Sequence, residues 1–101
     1  MKTKRALIMH PKDNVATSVE EVGAGEQVSA EIGGEWRTVV AREVIPFGFK
    51  IALTDIPKGN TVVKYGELIG KSSRAITSGD LVHIHNVEGT RGRGDLVKGG
   101  K

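Results

Sequence analysis

The residues of this chain whose types and spacing could do chemistry are its three histidines, one lysine and a few short polar side chains. Val82-His83-Ile84-His85-Asn86-Val87 sets two imidazoles two residues apart. In a strand such side chains share a face, so His83 and His85 point one way while Val82 and Ile84 point the other. Two neutral imidazoles on one surface suit metal ligation, or a general base beside a polarising group. They equally suit an interface strand with two hydrogen-bonded histidines. Two ligands do not complete a metal site, and the third histidine, His10, has to be carried near by the fold. His10-Pro11-Lys12-Asp13-Asn14 reads as a strand end, a Pro that cannot continue a central ladder, and two turn-capping residues. It contributes to the same site if His10, Asp13 or Asn14 reaches the His83/His85 face. Lys50 alternates with Phe49 and Ile51, and reads either as the solvent side of a strand or as a contact to an anionic ligand.

The elements that must position these residues are short. Apolar, β-branched runs at Arg5-His10, Gln27-Ile32, Trp36-Ile45, Phe49-Ile56, Thr61-Ile69 and Asp80-Val87 are separated by Gly, Pro, Asn or Asp, which predicts strands joined by turns. Asn14-Val22 alone has helical spacing, with Val15, Val19 and Val22 at i, i+4 and i+7, and is compatible with one short helix or with a turn and strand. One local pattern occurs three times: Val22-x-x-Gly25-Glu26-x-Val28, Ile56-x-x-Gly59-Asn60-x-Val62 and Ile76-x-x-Gly79-Asp80-x-Val82. A Gly free to adopt positive φ closes a tight turn, the polar residue after it bonds the local backbone, and the flanking apolar residues pin both arms. Unequal spacing excludes a solenoid array.

The chain has 101 residues, enough for one domain and too few for a complete multidomain enzyme. With four aromatic residues (Trp36, Phe47, Phe49, Tyr65) the core must be built from Val, Ile and Leu. The net charge of +3 is localised: residues 1–90 carry eleven charges of each sign, and the excess lies in the Gly-rich stretch from Arg91 onward. A neutral body without a basic groove argues against nucleic acid as a partner, and Arg91-Gly92-Arg93-Gly94 lacks an aromatic for base stacking. Gly66-Glu-Leu-Ile-Gly70-Lys71-Ser72 has three residues between its glycines where a phosphate-binding loop needs four. No cysteine is present, which removes disulfide scaffolds, zinc ribbons and thiol catalysis. Without a signal-peptide core or an apolar span, the reading is of a cytoplasmic protein with no membrane partner. Residues 1–87 are expected to form the folded domain and residues 88–101 a tail that is disordered or ordered by a partner.

Four segments, His10-Pro-Lys-Asp-Asn-Val-Ala16, Ile45-Pro-Phe-Gly-Phe-Lys-Ile-Ala-Leu53, Val63-Lys-Tyr-Gly-Glu-Leu-Ile-Gly70 and Gly79-Asp-Leu-Val-His-Ile-His-Asn-Val87, give the chain its likeness to a known family. In this order they resemble the small β domain, fused or separate, of the altronate and galactarate dehydratases, a family that includes sulfolactate sulfo-lyase. The resemblance implies an all-β, single-domain β-clip fold of the SAF type. It implies a small subunit, inactive alone, completing the site of a large catalytic subunit that performs β-elimination on a small anionic sugar acid. It also implies a divalent metal (iron, manganese or magnesium) held mainly by that large subunit. Carried onto this sequence, His83, His85 and His10 are the candidate catalytic residues, with His83 and His85 also candidate metal ligands. Asp13, Asn14, Lys50 and Asn86 are candidates for substrate binding, and Lys64 and Tyr65 stand behind them. The rival reading is a β module that binds a carbohydrate, a carboxylate or a protein segment without chemistry.

Overall fold

In the computed structural model, which describes residues 3–89, the secondary structure consists of strands alone, in agreement with the all-β expectation. They are β1 (Lys4–Leu7), β2 (Val15–Ser18), β3 (Gln27–Ile32), β4 (Glu35–Val40), β5 (Lys50–Ala52), β6 (Thr61–Lys64), β7 (Glu67–Ser72), β8 (Leu81–Val82) and β9 (Val87–Glu88). A six-stranded sheet runs β4-β3-β1-β2-β5-β8, and a three-stranded sheet runs β6-β7-β9. β1 pairs with β3 in parallel; the other pairings are antiparallel. Glu88, placed in the tail by the sequence reading, pairs with Lys71 in β9, and the rest of that stretch from residue 90 lies outside the described residues.

The central strands β2 and β5 are buried on both faces. Ala16 and Ile51 join Ala6, Val28, Val39 and Ile45 in one apolar core, while Val15 and Ala52 join Ile56, Val62, Ile76 and Val82 in a second. A strand with two apolar faces has no polar alternation to betray it. That is why Asn14-Val22 offered helical spacing, although the chain forms β2 there.

Four turns bind the strands together, one more than the sequence pattern found. Glu26, Phe49, Asn60 and Asp80 each donate a backbone N–H to the carbonyl three residues earlier, on Gly23, Pro46, Pro57 and Thr77. The glycine within each turn has φ between 86° and 95°. The Ile45–Phe49 turn escaped the pattern because Phe49 stands where the others have a polar residue and Ile51 where they have Val. Each turn glycine also donates its N–H to a buried residue on another segment: Gly25 to Ala41, Gly48 to Ser18, Gly59 to Ser72 and Gly79 to Ala52.

The turn chemistry is complementary. Where the first turn residue has an N–H, a carboxylate returns to accept it, Glu26 from Gly23 at 2.6 Å and Asp80 from Thr77 at 2.8 Å. Where that residue is Pro there is no N–H, and the buried serine instead donates its hydroxyl to the prolyl carbonyl, Ser18 to Pro46 and Ser72 to Pro57. Mutual hydrogen bonds then join the turns in pairs, Val22 with Ile45 and Ile56 with Ile76. Each pair encloses a hairpin, β3–β4 or β6–β7, whose two-residue tip is left-handed at both positions: Gly33-Gly34 and Tyr65-Gly66. The body is thus one turn–hairpin–turn unit built twice.

Candidate functional site

His83 and His85 do not sit on a strand. β8 stops at Val82, and His83-Ile84-His85-Asn86 is a turn in which both histidines and Ile84 are exposed. The cause is Asn86, which is buried: its Oδ1 accepts the His83 N–H at 2.9 Å and its Nδ2 donates to the Leu81 carbonyl at 2.8 Å. Such a side chain competes with the ladder for backbone groups and closes a turn instead. The shared-face geometry expected of a strand is therefore absent. The His83 ring packs on Phe49, centroids 4.8 Å apart, while His85 is exposed and does not line the cavity described below. Asn86, a candidate for substrate contact, has both side-chain polar atoms engaged by backbone.

Asp13 is also buried. Its Oδ2 accepts N–H groups from Met9, His10 and Tyr65 at 3.1–3.2 Å, and its Oδ1 accepts that of Gly66 at 2.8 Å. One carboxylate thus fastens the His10 loop to the tip of the β6–β7 hairpin, including Tyr65, whose φ of 58° is costly for a residue with a Cβ. Asn14 extends the clasp along β6, donating to the Thr61 carbonyl at 3.0 Å and accepting from the Val63 N–H at 2.8 Å. The His10 ring lies against Gly66 so closely that a Cβ there would stand 2.7 Å from it. Its Nδ1 accepts the Lys12 N–H at 3.1 Å, which leaves Nε2 as the proton-bearing nitrogen of the neutral ring.

Lys50 lies where the sequence reading gave no reason to choose. It is opposite Thr17 in β2 and Val82 in β8, on the face that carries Val15 and Ala52 into the second core. β5 has no solvent side, so Lys50 lies at the edge of that core. There it lines a cavity of about 250 Å³ together with Ile69, His83, Ile84, Val87 and Gly89. Ile69 comes from a bulge in β7: Val62 opposes Gly70 and Val63 opposes Leu68, so Ile69 is the extra residue. Burial holds the Lys50 ammonium below its ordinary pKa of 10.5, and the charge of Lys64 lowers it further. Lys64 in turn stands 4.5 Å over the Tyr65 ring.

The fold therefore gathers the sequence candidates into two groups. His10 and Asp13 are at the tip of the β6–β7 hairpin with Asn14 beside them along β6, and Lys50 and His83 are at the cavity. Lys64 and Tyr65, ranked behind the others in sequence, connect them: Tyr65 is bonded to Asp13, and the Lys64 charge is felt at Lys50. Sequence reasoning missed Ile69, for which no signal exists without the register of β7, and Ile84, whose apolar type suggested the opposite of its 81% exposure. Among the described residues no three of His, Cys, Asp or Glu are grouped to hold a metal ion. Two exposed imidazoles from one turn fall short of the ligand set such a site needs. None of the described residues form a helix long and apolar enough to cross a membrane.

The chain is similar to several known proteins. Residues 4–90 match the family model described as the altronate/galactarate dehydratase SAF domain. Over 78 residues the chain is 41% identical to altronate dehydratase of Escherichia coli, a stretch that covers 77% of this chain but 15% of that enzyme. Over 89 residues it is 33% identical to (2R)-sulfolactate sulfo-lyase subunit alpha of Chromohalobacter salexigens, covering 84% of this chain and 95% of that subunit. Galactarate dehydratase (L-threo-forming) of Escherichia coli is 38% identical over 74 residues, 13% of its length. Since the family model spans nearly the whole described body, and the four turns and both hairpins fall inside it, the chain belongs to the altronate/galactarate dehydratase SAF-domain family.

Proposed function

We propose that this chain is the small subunit of a two-component lyase that removes water, or another β-leaving group such as sulfite, from a hydroxylated carboxylic acid. The observation that carries this reading is the match to a separate subunit: the chain is 33% identical to a sulfo-lyase subunit alpha over 89 residues that cover 95% of it. In such a reaction a proton leaves the carbon next to the carboxylate, the leaving group departs from the following carbon, and the resulting enol tautomerises to a 2-oxo acid. Charge grows on the carboxylate as the proton leaves and must be met by cations or a metal. No metal-ligand cluster forms among the described residues, and a divalent ion serving this reaction would be held mainly by the large subunit. What this chain supplies is the cavity at Lys50 and His83: a cation for an anionic substrate, and an imidazole able to give or take a proton at its rim. Asp13, Asn14 and Asn86 hold the loops that shape it. His10 and His85 are placed for lesser roles, His10 beside the hairpin tip and His85 on the exposed turn. The setting is the cytoplasm.

The test is to purify the chain from its native source, identify what accompanies it, and assay the complex and the separated chain for 2-oxo acid formation. Turnover by the complex and none by the chain alone is expected. Enzymatic turnover by the chain alone would overturn the subunit reading.

A further inference from the structure

The two hairpin tips of the repeated unit have the same backbone shape and different residues. Gly33-Gly34 and Tyr65-Gly66 are left-handed at both positions, a conformation glycine adopts freely and tyrosine does not. Strain of this kind persists only where the surroundings over-determine it, and it gathers at functional sites. Here the surroundings are Asp13, itself buried, whose carboxylate accepts the N–H groups of Tyr65 and Gly66. Among the described residues no side chain fastens the Gly33-Gly34 tip in this way.

What the strained tip displays is outward-facing. Tyr65 is 56% exposed, with the Lys64 ammonium 4.5 Å over its ring. Met9, 44% exposed, is fixed beside it, because the N–H groups of Met9, His10 and Tyr65 converge on the same Asp13 oxygen. The His10 ring packs on Gly66 with Nδ1 taken by the Lys12 N–H, and its Nε2–H has no partner among the described residues. An exposed Tyr and Met rimmed by an imidazole N–H and an ammonium match the composition of an interface centre, where Tyr and Met are enriched. A surface already rigid before contact loses little entropy on docking. Small molecules bind in concave sites, and these tip residues do not line the cavity at Lys50, so a protein surface fits them better. The stretch matched in altronate dehydratase is 15% of that enzyme, where this domain shares a chain with a much larger remainder.

We infer that the β6–β7 tip, with Tyr65 at its centre and Met9, His10 and Lys64 around it, is where this chain docks on the large subunit. The surface it meets is apolar opposite Tyr65 and Met9 and offers a carboxylate or carbonyl oxygen to His10 and Lys64. The inference rests on the small-subunit reading for its partner and deepens it by naming the face that partner covers.

The test uses the full chain and the protein that accompanies it from its native source. Tyr65→Gly removes the side chain and relieves the strain, so the free variant should melt no lower than the wild type yet bind that protein roughly tenfold or more weakly. Met9→Lys should weaken binding as well, whereas Trp36→Ala, exposed on the other hairpin, should leave it unchanged. Assembly should slow hydrogen exchange at the amides around Met9 and Tyr65 and not at those around Gly34. Unchanged affinity in Tyr65→Gly, or protection confined to the other hairpin, overturns the inference and leaves the small-subunit reading standing. A free Tyr65→Gly variant that melts well below the wild type also overturns it, since Tyr65 would then serve the fold. If the chain joins no lyase, the small-subunit reading fails and the docking site with it; self-association lost in Tyr65→Gly would then give the tip to a second copy.

Discussion

Two charged side chains, one satisfied and one not, show how differently this fold treats polar burial. Asp13, itself buried, accepts four backbone N–H groups, and removing its carboxylate takes the acceptor from all four. Asp13→Ala is therefore expected to lower unfolding free energy by about 3 kcal/mol or more, read by urea denaturation. Lys50 has the opposite balance. Its pKa is lowered in the folded state and returns to about 10.5 in the unfolded chain, so the unfolded state binds more protons in the window between these values. Stability then rises with pH across that window, and below it the buried charge is a cost. Lys50→Met should melt above the wild type at pH 7, and the difference should shrink as the pH climbs toward 10.5. A lower melting temperature at pH 7 would mean that Lys50 has a stabilising partner.

At the scale of the turn, the same glycine geometry meets two environments. Gly59 and Gly79 have φ of 87° and 95°, but a Cβ on Gly59 meets nothing within 4 Å, while one on Gly79 would lie 2.0 Å from the Val40 carbonyl oxygen. Gly59→Ala should cost about 1–2 kcal/mol from backbone strain alone. Gly79→Ala should cost more by at least about 1–3 kcal/mol, because the β4 end must move away. Equal losses would mean that the turn at Gly79 yields without effort. Ser72→Ala removes the donor to the Pro57 carbonyl and should cost about 1–2 kcal/mol, whereas the corresponding positions on the two carboxylate-closed turns are already Ala41 and Ala52.

For the molecule as a whole, the two units put a cavity at the junction of the sheets, and the proposed chemistry depends on what docks there. In the assembled enzyme His83→Ala should lower kcat by about 100-fold or more while assembly persists, as expected for a positioned acid or base. Unchanged turnover would reduce His83 to a wall of the cavity packed on Phe49. His85→Ala, from the same turn but away from the cavity, serves as the control and should have little effect.

Short β-branched runs, glycines at turn spacing and the absence of cysteine determined an all-β domain from sequence alone, because period-two burial and positive-φ turns leave marks in residue type. The likeness of four ordered segments was also legible there, and the family match follows it. The doubly buried β2 was not legible, since a strand with two apolar faces carries no alternation. Nor was the fourth turn, where Phe49 stands in the polar position and the hydroxyl of Ser18, on a distant segment, bonds the Pro46 carbonyl. The site depended most on tertiary structure. His83 and His85 share a strand face only if the ladder continues, and the Asn86 side chain, by capturing backbone groups on His83 and Leu81, ends it. Lys50 is a surface lysine or a buried one according to whether a second sheet covers β5, and that is decided by the β7 bulge and by β9, elements separated from it by many residues. Residue types and their spacing could name the candidate groups; which of them share a cavity, and which are held by backbone, was decided by pairings between segments far apart in the chain.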